Sequence, residues 1–359
     1  MTFLQATREY EAWLGRQIPI LKPDLTLKHR RMTGDAFCFL RATFYRWMQL
    51  IPNLCADCFA APSVLSVGDL HVENYGTWRD AEGRLIWGVN DFDEAFPLPY
   101  TNDLIRLATS AWLAIELEHL SAPRADACAS ILEGYTSGLE AGGSPFVLSE
   151  CHRWLRDTVT GRLRDPTQYW QKFSVLPTAK RVPAKVLTLL RDALPQKNLP
   201  FRVAHRQAGL GSLGRERYTA LADSCGGKIA RETKPLVPSA RTWAGLRAQD
   251  THIYYADILS QSARAADPFL VLHGTWILRR LSPYCSRIEL DQLPSSRDEE
   301  KLLWGMGREL ANIHWGARAA VPRILRDLRR RKAKWLRRAT EVMATATLRD
   351  WKEWRKRRG

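Results

Sequence analysis

The stretch Gly68–Asp103 constrains this chain more than any other. It reads Gly68-Asp69-Leu70-His71-Val72-Glu73-Asn74, then VNDFDEA with Asp91 as its first acid, then NDLIRL with Asp103. Apolar runs at Ser63–Val67 and Leu85–Val89 precede the first two motifs, a pattern that predicts short strands ending in polar loops. Phosphoryl transfer needs a carboxylate that orients an acceptor hydroxyl and takes its proton. It also needs an amide oxygen and a second carboxylate that hold Mg²⁺ against the phosphates. Asp69 and Asn74, on one loop, supply the first two groups, and Asp91 supplies the third. His71 and Asp93 lie beside them as supporting residues. Taken singly, His71 reads as a structural histidine, Asp93 as a surface charge, and Asp69 and Asn74 as turn residues. Their joint spacing favours the catalytic reading.

A second motif, Gly209-Leu210-Gly211-Ser212-Leu213-Gly214, fits GxGxxG. It reads as a dinucleotide fingerprint with Glu232 as the ribose-binding acid, as a kinase loop covering phosphates, or as a plain turn. The Gly226–Gly227 turn followed by KIARETK predicts a β-hairpin, which favours the kinase loop. The hairpin makes Lys234 the candidate phosphate lysine, with Lys228 as its nearest competitor. The order is unusual, because the glycine loop normally precedes the catalytic loop. A circular permutation reconciles it: connectivity changes while the packed elements do not. The helix ending RELANIHWG is similar to the helix that directly precedes the catalytic loop in small-molecule kinases. Here it falls near the C-terminus.

The remaining composition narrows the setting. No apolar run approaches the roughly 20 residues of a membrane-spanning helix. The N-terminus carries Glu9 and Glu11 and does not read as a signal peptide. The 7 cysteines are scattered and odd in number, which points to free thiols and a cytoplasmic setting. Cys55 and Cys58 form a lone CxxC, read as buried thiols rather than a zinc or redox site. The net charge of +16 is concentrated beyond Arg323. There Leu325, Leu328, Trp335, Leu336, Ala339, Val342 and Met343 recur at helical spacing. A basic amphipathic helix is expected, either docked by its apolar face or binding an anionic partner, nucleic acid or a membrane surface.

Several segments, among them RRMTGDAFCFLRATFYRW, GDLHVENYG, NDFDEA, GLGSLGRERY, ETKPLVPSA and GRELANIH, resemble the uncharacterised bacterial family called domain of unknown function 2252. That family is grouped with protein-kinase-like and aminoglycoside-phosphotransferase-like folds. The resemblance implies that Asp69 is the catalytic aspartate and that Asn74 and Asp91 are the metal ligands. It implies that Asp103 braces the catalytic loop and that Gly209, Gly211, Ser212 and Gly214 form the phosphate loop. Lys234 matches the phosphate lysine, with Ser239 at the family's spacing, and Arg41 is family-like. Pro235 and Leu236 stand where the family has Glu-Ala, and residues 240–266 offer no glutamate to pair with Lys234.

The expected fold is therefore α+β: a two-lobed, circularly permuted protein-kinase-like fold with a mainly helical large lobe and a small β-rich lobe. Residues 1–60 would be a helical segment on the large lobe. Residues 61–200 would be that lobe, 201–283 the small nucleotide-binding lobe, 284–322 a helix returning to the large lobe, and 323–359 the basic tail. The expected function is an ATP- and Mg²⁺-dependent phosphotransferase acting on a small-molecule or protein acceptor. The alternatives are a pseudokinase-like nucleotide-binding or interaction protein, and a nucleic-acid-binding protein working through its basic tail.

Overall fold

The N-terminal segment is punctuated by its caps. Thr2 accepts the Gln5 N–H and starts α1 (Phe3–Gln17), and Asp35 accepts the Cys38 N–H and starts α3 (Ala36–Ala42). Between them lies α2 (Lys22–Gly34), with a proline in its first turn. Helices α4 (Phe44–Leu54) and α5 (Ala56–Phe59) complete the segment. The structure is a computed structural model, and it describes residues 1–160, 165–245, 250–285, 290 and 298–358. Parts of the expected large lobe, small lobe, returning helix and tail that fall elsewhere lie outside the described residues.

The middle of the chain alternates short strands with helices. Strands β1 (Ser63–Ser66) and β4 (Phe96–Pro99) pair antiparallel. Strands β2 (Tyr75–Arg79), β3 (Leu85–Val89) and β5 (Phe146–Val147) form a second antiparallel sheet. The helices that follow or interrupt them are α6 (Tyr100–Glu116), α7 (Arg124–Glu140), α8 (Arg153–Thr160), α9 (Pro166–Ser174) and α10 (Ala184–Asp192). Almost every residue of α6 is buried, so it forms the axis of this part of the core.

A five-stranded antiparallel sheet follows, in the order β6-β7-β8-β10-β9. Its strands are β6 (Arg202–His205), β7 (Tyr218–Ser224), β8 (Gly227–Pro235), β9 (Val271–His273) and β10 (Trp276–Leu281). Helices α11 (Ala240–Ala244) and α12 (Tyr255–Gln261) lie between β8 and β9. The glycine motif thus joins two antiparallel strands. A dinucleotide fingerprint would join a strand to a helix in a parallel unit, so that reading of Gly209–Gly214 fails.

Helix α13 (Glu299–His314), capped by Asp298, returns to the helical body and packs along α7. Gly134 and Gly307 permit the close approach: a Cβ on either would strike a backbone carbonyl of the facing helix. The chain then runs through a 3-10 turn (Trp315–Ala320) into α14 (Val321–Arg330) and α15 (Trp335–Arg358). In α15, Trp335, Leu336, Ala339, Met343 and Trp354 are buried on the body, so the apolar face is docked. Val342, expected on that face, is instead 41% exposed. The fold is α+β, and no helix among the described residues is long and apolar enough to cross a membrane.

Candidate functional site

Asp103, in the first turn of α6, accepts the backbone N–H groups of Val67 at 2.7 Å and Gly68 at 3.0 Å. Gly68 has φ +82°, and a side chain there would strike the Glu94 carbonyl. Asp103 is held in turn by His314 at the end of α13, whose Nε2 lies 3.2 Å away. The Nδ1 of His314 meets the Tyr135 hydroxyl at 2.8 Å. Arg106 follows Asp103 by one helical step on the same face of α6. Its Nη2 donates to Asp69 Oδ1 at 2.6 Å and its Nε donates at 3.1 Å. One helix therefore holds the root of the loop and its carboxylate. Burial pushes the Asp69 pKa up, and Arg106 opposes that shift.

Asn74 ties this loop to the next. Its Nδ2 donates to the backbone oxygens of Asp69 at 3.2 Å and Asp91 at 3.1 Å. Its Oδ1 is buried and has no hydrogen-bond partner among the described residues. His71 is buried and lines the same cavity as Asp69, Asn74 and Asp91. Among the described residues no three His, Cys, Asp or Glu side chains form a metal site. The orphaned Asn74 oxygen and the Asp91 carboxylate are nevertheless hard donors. They fit Mg²⁺, which binds through one or two protein oxygens together with phosphates.

Lys234 reaches this point from the third strand of the five-stranded sheet. Its Nζ lies 2.6 Å from Asp93 Oδ2 and 3.5 Å from Asp91 Oδ1. The acid that Lys234 meets is thus Asp93, from the motif that carries Asp91. Where α12 passes the site it presents Tyr255, whose ring packs edge-on against Phe92. Burial, and then Asp91, push the Asp93 pKa up, with Lys234 opposing. Glu94 accepts the Ser239 hydroxyl at 2.9 Å and the Ala240 N–H at 2.6 Å. Ser239 thereby anchors the segment after β8 to the acidic loop. Burial pushes Glu94 up to about 7.

The glycine loop lies directly over Asp69. A Cβ on Gly211 would stand 3.7 Å from Asp69 Oδ2 and 3.1 Å from the Arg41 carbonyl. Gly209 and Gly214 have φ +72° and +98°, and Ser212 Oγ accepts from Arg217 at 2.8 Å. Helix α2 grips the loop from outside. Lys28 Nζ donates to the Gly211 carbonyl at 3.0 Å, and Leu21 N donates to the Gly214 carbonyl at 2.8 Å. Asp24 holds His205 and Gln207 at 2.8 and 2.7 Å. The cavity beneath, enclosed by Asp69, Asn74, Asp91, Lys28 and Arg215, measures about 50 Å³. Arg41 forms an ion pair with Glu73, while its Nε and that of Arg215 are buried without partners among the described residues.

Beyond Asp91 and Gly209 the cavity gives way to a cleft of about 620 Å³, bounded by Trp78, Arg264, Arg279, Leu281 and Cys285. That volume suits a nucleotide-sized ligand. Sequence reasoning missed Lys28, Arg106 and Arg215. Only Arg106 left a signal, one helical step after Asp103; the other two come from distant elements. The CxxC thiols line neither the cavity nor the cleft. Cys55 and Cys58 are buried, and burial pushes them up to about 12 and about 11.

Fold and site together define an α+β protein in which a glycine loop and a strand lysine meet an acidic double loop. A family model described as "Uncharacterized protein conserved in bacteria (DUF2252)" matches residues 21–158. The matched stretch holds Asp69, Asn74, Asp91, Asp103 and Arg106, but neither the glycine loop nor Lys234. No curated protein and no solved structure matches the chain.

Proposed function

We propose that this protein is an ATP- and Mg²⁺-dependent phosphotransferase with a circularly permuted, protein-kinase-like, two-lobed fold. The observation that carries the reading is the meeting of Lys234 with Asp91 and Asp93 beside Asn74, although 143 residues separate Lys234 from Asp91. A kinase needs these groups together: a lysine on the third strand, a glycine loop between the first two, a catalytic carboxylate, and an Asn–Asp pair for metal. The contact from α13 through His314 to Asp103 supports the permutation. It brings α13 to the residue that holds the loop this helix would precede in an unpermuted chain.

In this reading Asp69, aligned by Arg106, orients the acceptor hydroxyl and receives its proton. Asn74 and Asp91 would hold Mg²⁺, which when bound would neutralise charge on the phosphates. Lys234, positioned by its contact with Asp93, reaches toward the nucleotide phosphates. Gly209–Gly214 offers backbone N–H groups over those phosphates. The acidic partner for Lys234 favours turnover over a purely nucleotide-binding role. Incubation with γ-labelled ATP and a panel of hydroxyl acceptors, small molecules and proteins, tests this. Transfer or slow hydrolysis is expected for the wild type and a loss of about 10³-fold or more for Asp69→Asn. Equal turnover in both would remove Asp69 from the chemistry.

A second reading concerns α14 and α15. Most of their Lys and Arg side chains are exposed, and Glu341 is their one exposed acid among the described residues. With the apolar face docked, the charges alone remain to meet a partner. That favours a nucleic-acid backbone over insertion into a membrane surface. Deleting residues 323–359 would strip the core of Trp335, Met343 and Trp354, so neutralising exposed arginines is the cleaner test. Affinity for a short duplex that falls steeply with salt and with each Arg→Gln change is the expected result.

A further inference from the structure

Glu232 is the hub of a second charge cluster in the cleft. It lies two residues before Lys234 on β8, so both side chains leave the same face, about 7 Å apart along the strand. Three guanidiniums converge on its carboxylate. Arg217 Nη1 lies 2.6 Å away, Arg206 Nη1 2.7 Å and Arg279 Nη2 2.7 Å. Although burial opposes it, Arg217, Arg206 and Arg279 hold the Glu232 carboxyl well below its usual range.

The charges do not balance. One carboxylate is in contact with three guanidiniums, and only Asp91, which acts on Arg279 from further off, offsets them in addition, so positive charge remains in excess in a partly buried place. Arg206 and Arg279 have side chains 27% exposed, and both line the cleft of about 620 Å³. A guanidinium carries five N–H donors. Arg206 reaches Glu232 through Nη1 and Arg279 through Nε and Nη2, so each keeps further donors for the cleft. A base-and-ribose site needs no such excess. An anion does, and paired guanidiniums suit phosphate.

We propose that the Glu232 end of the cleft is a second phosphate subsite. It would take a phosphate group carried by the ligand in addition to those that Lys234 and Asp91 address. The inference rests on the phosphotransferase reading for the position of the first phosphates. Two ligands share the required chemistry: a nucleotide phosphorylated on both its 5′ and 3′ positions, and a linear inorganic polyphosphate. In this account Glu232 holds the three arginines in place and meets no ligand itself.

Calorimetry with Mg²⁺ distinguishes the cases. Adenosine 3′,5′-bisphosphate is compared with AMP, hexaphosphate with tripolyphosphate, and ATP is titrated alongside. A gain of about tenfold from the added phosphate is expected in at least one pair, as for one charge-assisted hydrogen bond. Gain in the adenosine pair assigns a bisphosphorylated nucleotide, and gain in the other pair assigns polyphosphate. Arg279→Met and, on the cleft rim, Arg206→Met should each reduce the gain, with thermal melting to show that each folds. The wild-type comparison needs neither variant. ATP binding with no gain in either pair overturns the subsite and leaves the phosphotransferase reading standing. Failure of every phosphate ligand to bind overturns both.

Discussion

Lys234 Nζ stands 2.6 Å from Asp93 Oδ2, and this contact joins the five-stranded sheet to the acidic loop of the helical body. Both side chains are nearly buried, so each charge depends on the other. Replacing Lys234 by Met removes the nearer cation from Asp93 and leaves only Arg215, whose Nη1 lies 3.7 Å away. A loss of about 3 kcal/mol at neutral pH is expected in urea unfolding. Because the Asp93 pKa is already raised, the deficit should shrink as pH falls and Asp93 takes up a proton. A deficit independent of pH would argue against the ion pair.

Asp103 carries the root of the Gly68–Asn74 loop on two backbone hydrogen bonds. Asp103→Ala leaves the Val67 and Gly68 N–H groups buried and unpaired, at a cost of about 3 kcal/mol or more. His314→Ala removes only the support behind Asp103 and should cost less. Chemical denaturation of both variants checks the order; the reverse order would place the brace elsewhere.

The close packing of α7 on α13 gives a sign test. In an exposed helix Gly→Ala stabilises by about 1 kcal/mol. At Gly307 and Gly134 the new methyl meets the facing backbone, so Ala should destabilise by about 1–3 kcal/mol. A rise in melting temperature for either variant would contradict the packing.

Much of the site was legible because its residues sit close together in the chain. Gly68, Asp69, Asn74 and Asp91 announced a pair of loops, and the glycine motif with its hairpin announced a strand pair. The partners were not legible. Nothing near Lys234 names Asp93 as its acid, since the pairing exists only after two distant elements pack. Nothing in the sequence singles out Lys28, yet it is buried and donates to Gly211. The tail's helical spacing was readable, but Val342 fell off the docked face because periodicity does not fix where a helix turns toward its neighbour.

Lys28 should therefore govern the glycine loop. Lys28→Met removes its bond to the Gly211 carbonyl, while Leu21 and Asp24 keep their contacts. Hydrogen exchange across residues 209–214 should quicken relative to β7 and β8, which serve as internal references. Unchanged exchange would show that the other contacts suffice.

Glu309 links pH to stability away from the cleft. It accepts the Val89 N–H at 3.3 Å and Asn312 Nδ2 at 2.8 Å, and burial pushes it up to about 7, with Arg264 opposing. A raised carboxyl holds its proton in the folded state after the unfolded chain has released it. Its contribution is full below about 4.5 and is lost as pH rises through about 7, at most about 3 kcal/mol. Denaturation midpoints at pH 5 and pH 8 should differ less in Glu309→Gln than in the wild type. An identical difference would remove Glu309 from the linkage.

Calorimetric titration with ATP and Mg²⁺, on the wild type and on Asp91→Ala, tests the central claim most directly. Saturable binding to the wild type, weakened at least about tenfold in Asp91→Ala and lost from both without Mg²⁺, is the predicted result. No heat of binding in the wild type, or equal binding with and without Asp91, would contradict the assignment of this cleft to phosphoryl transfer.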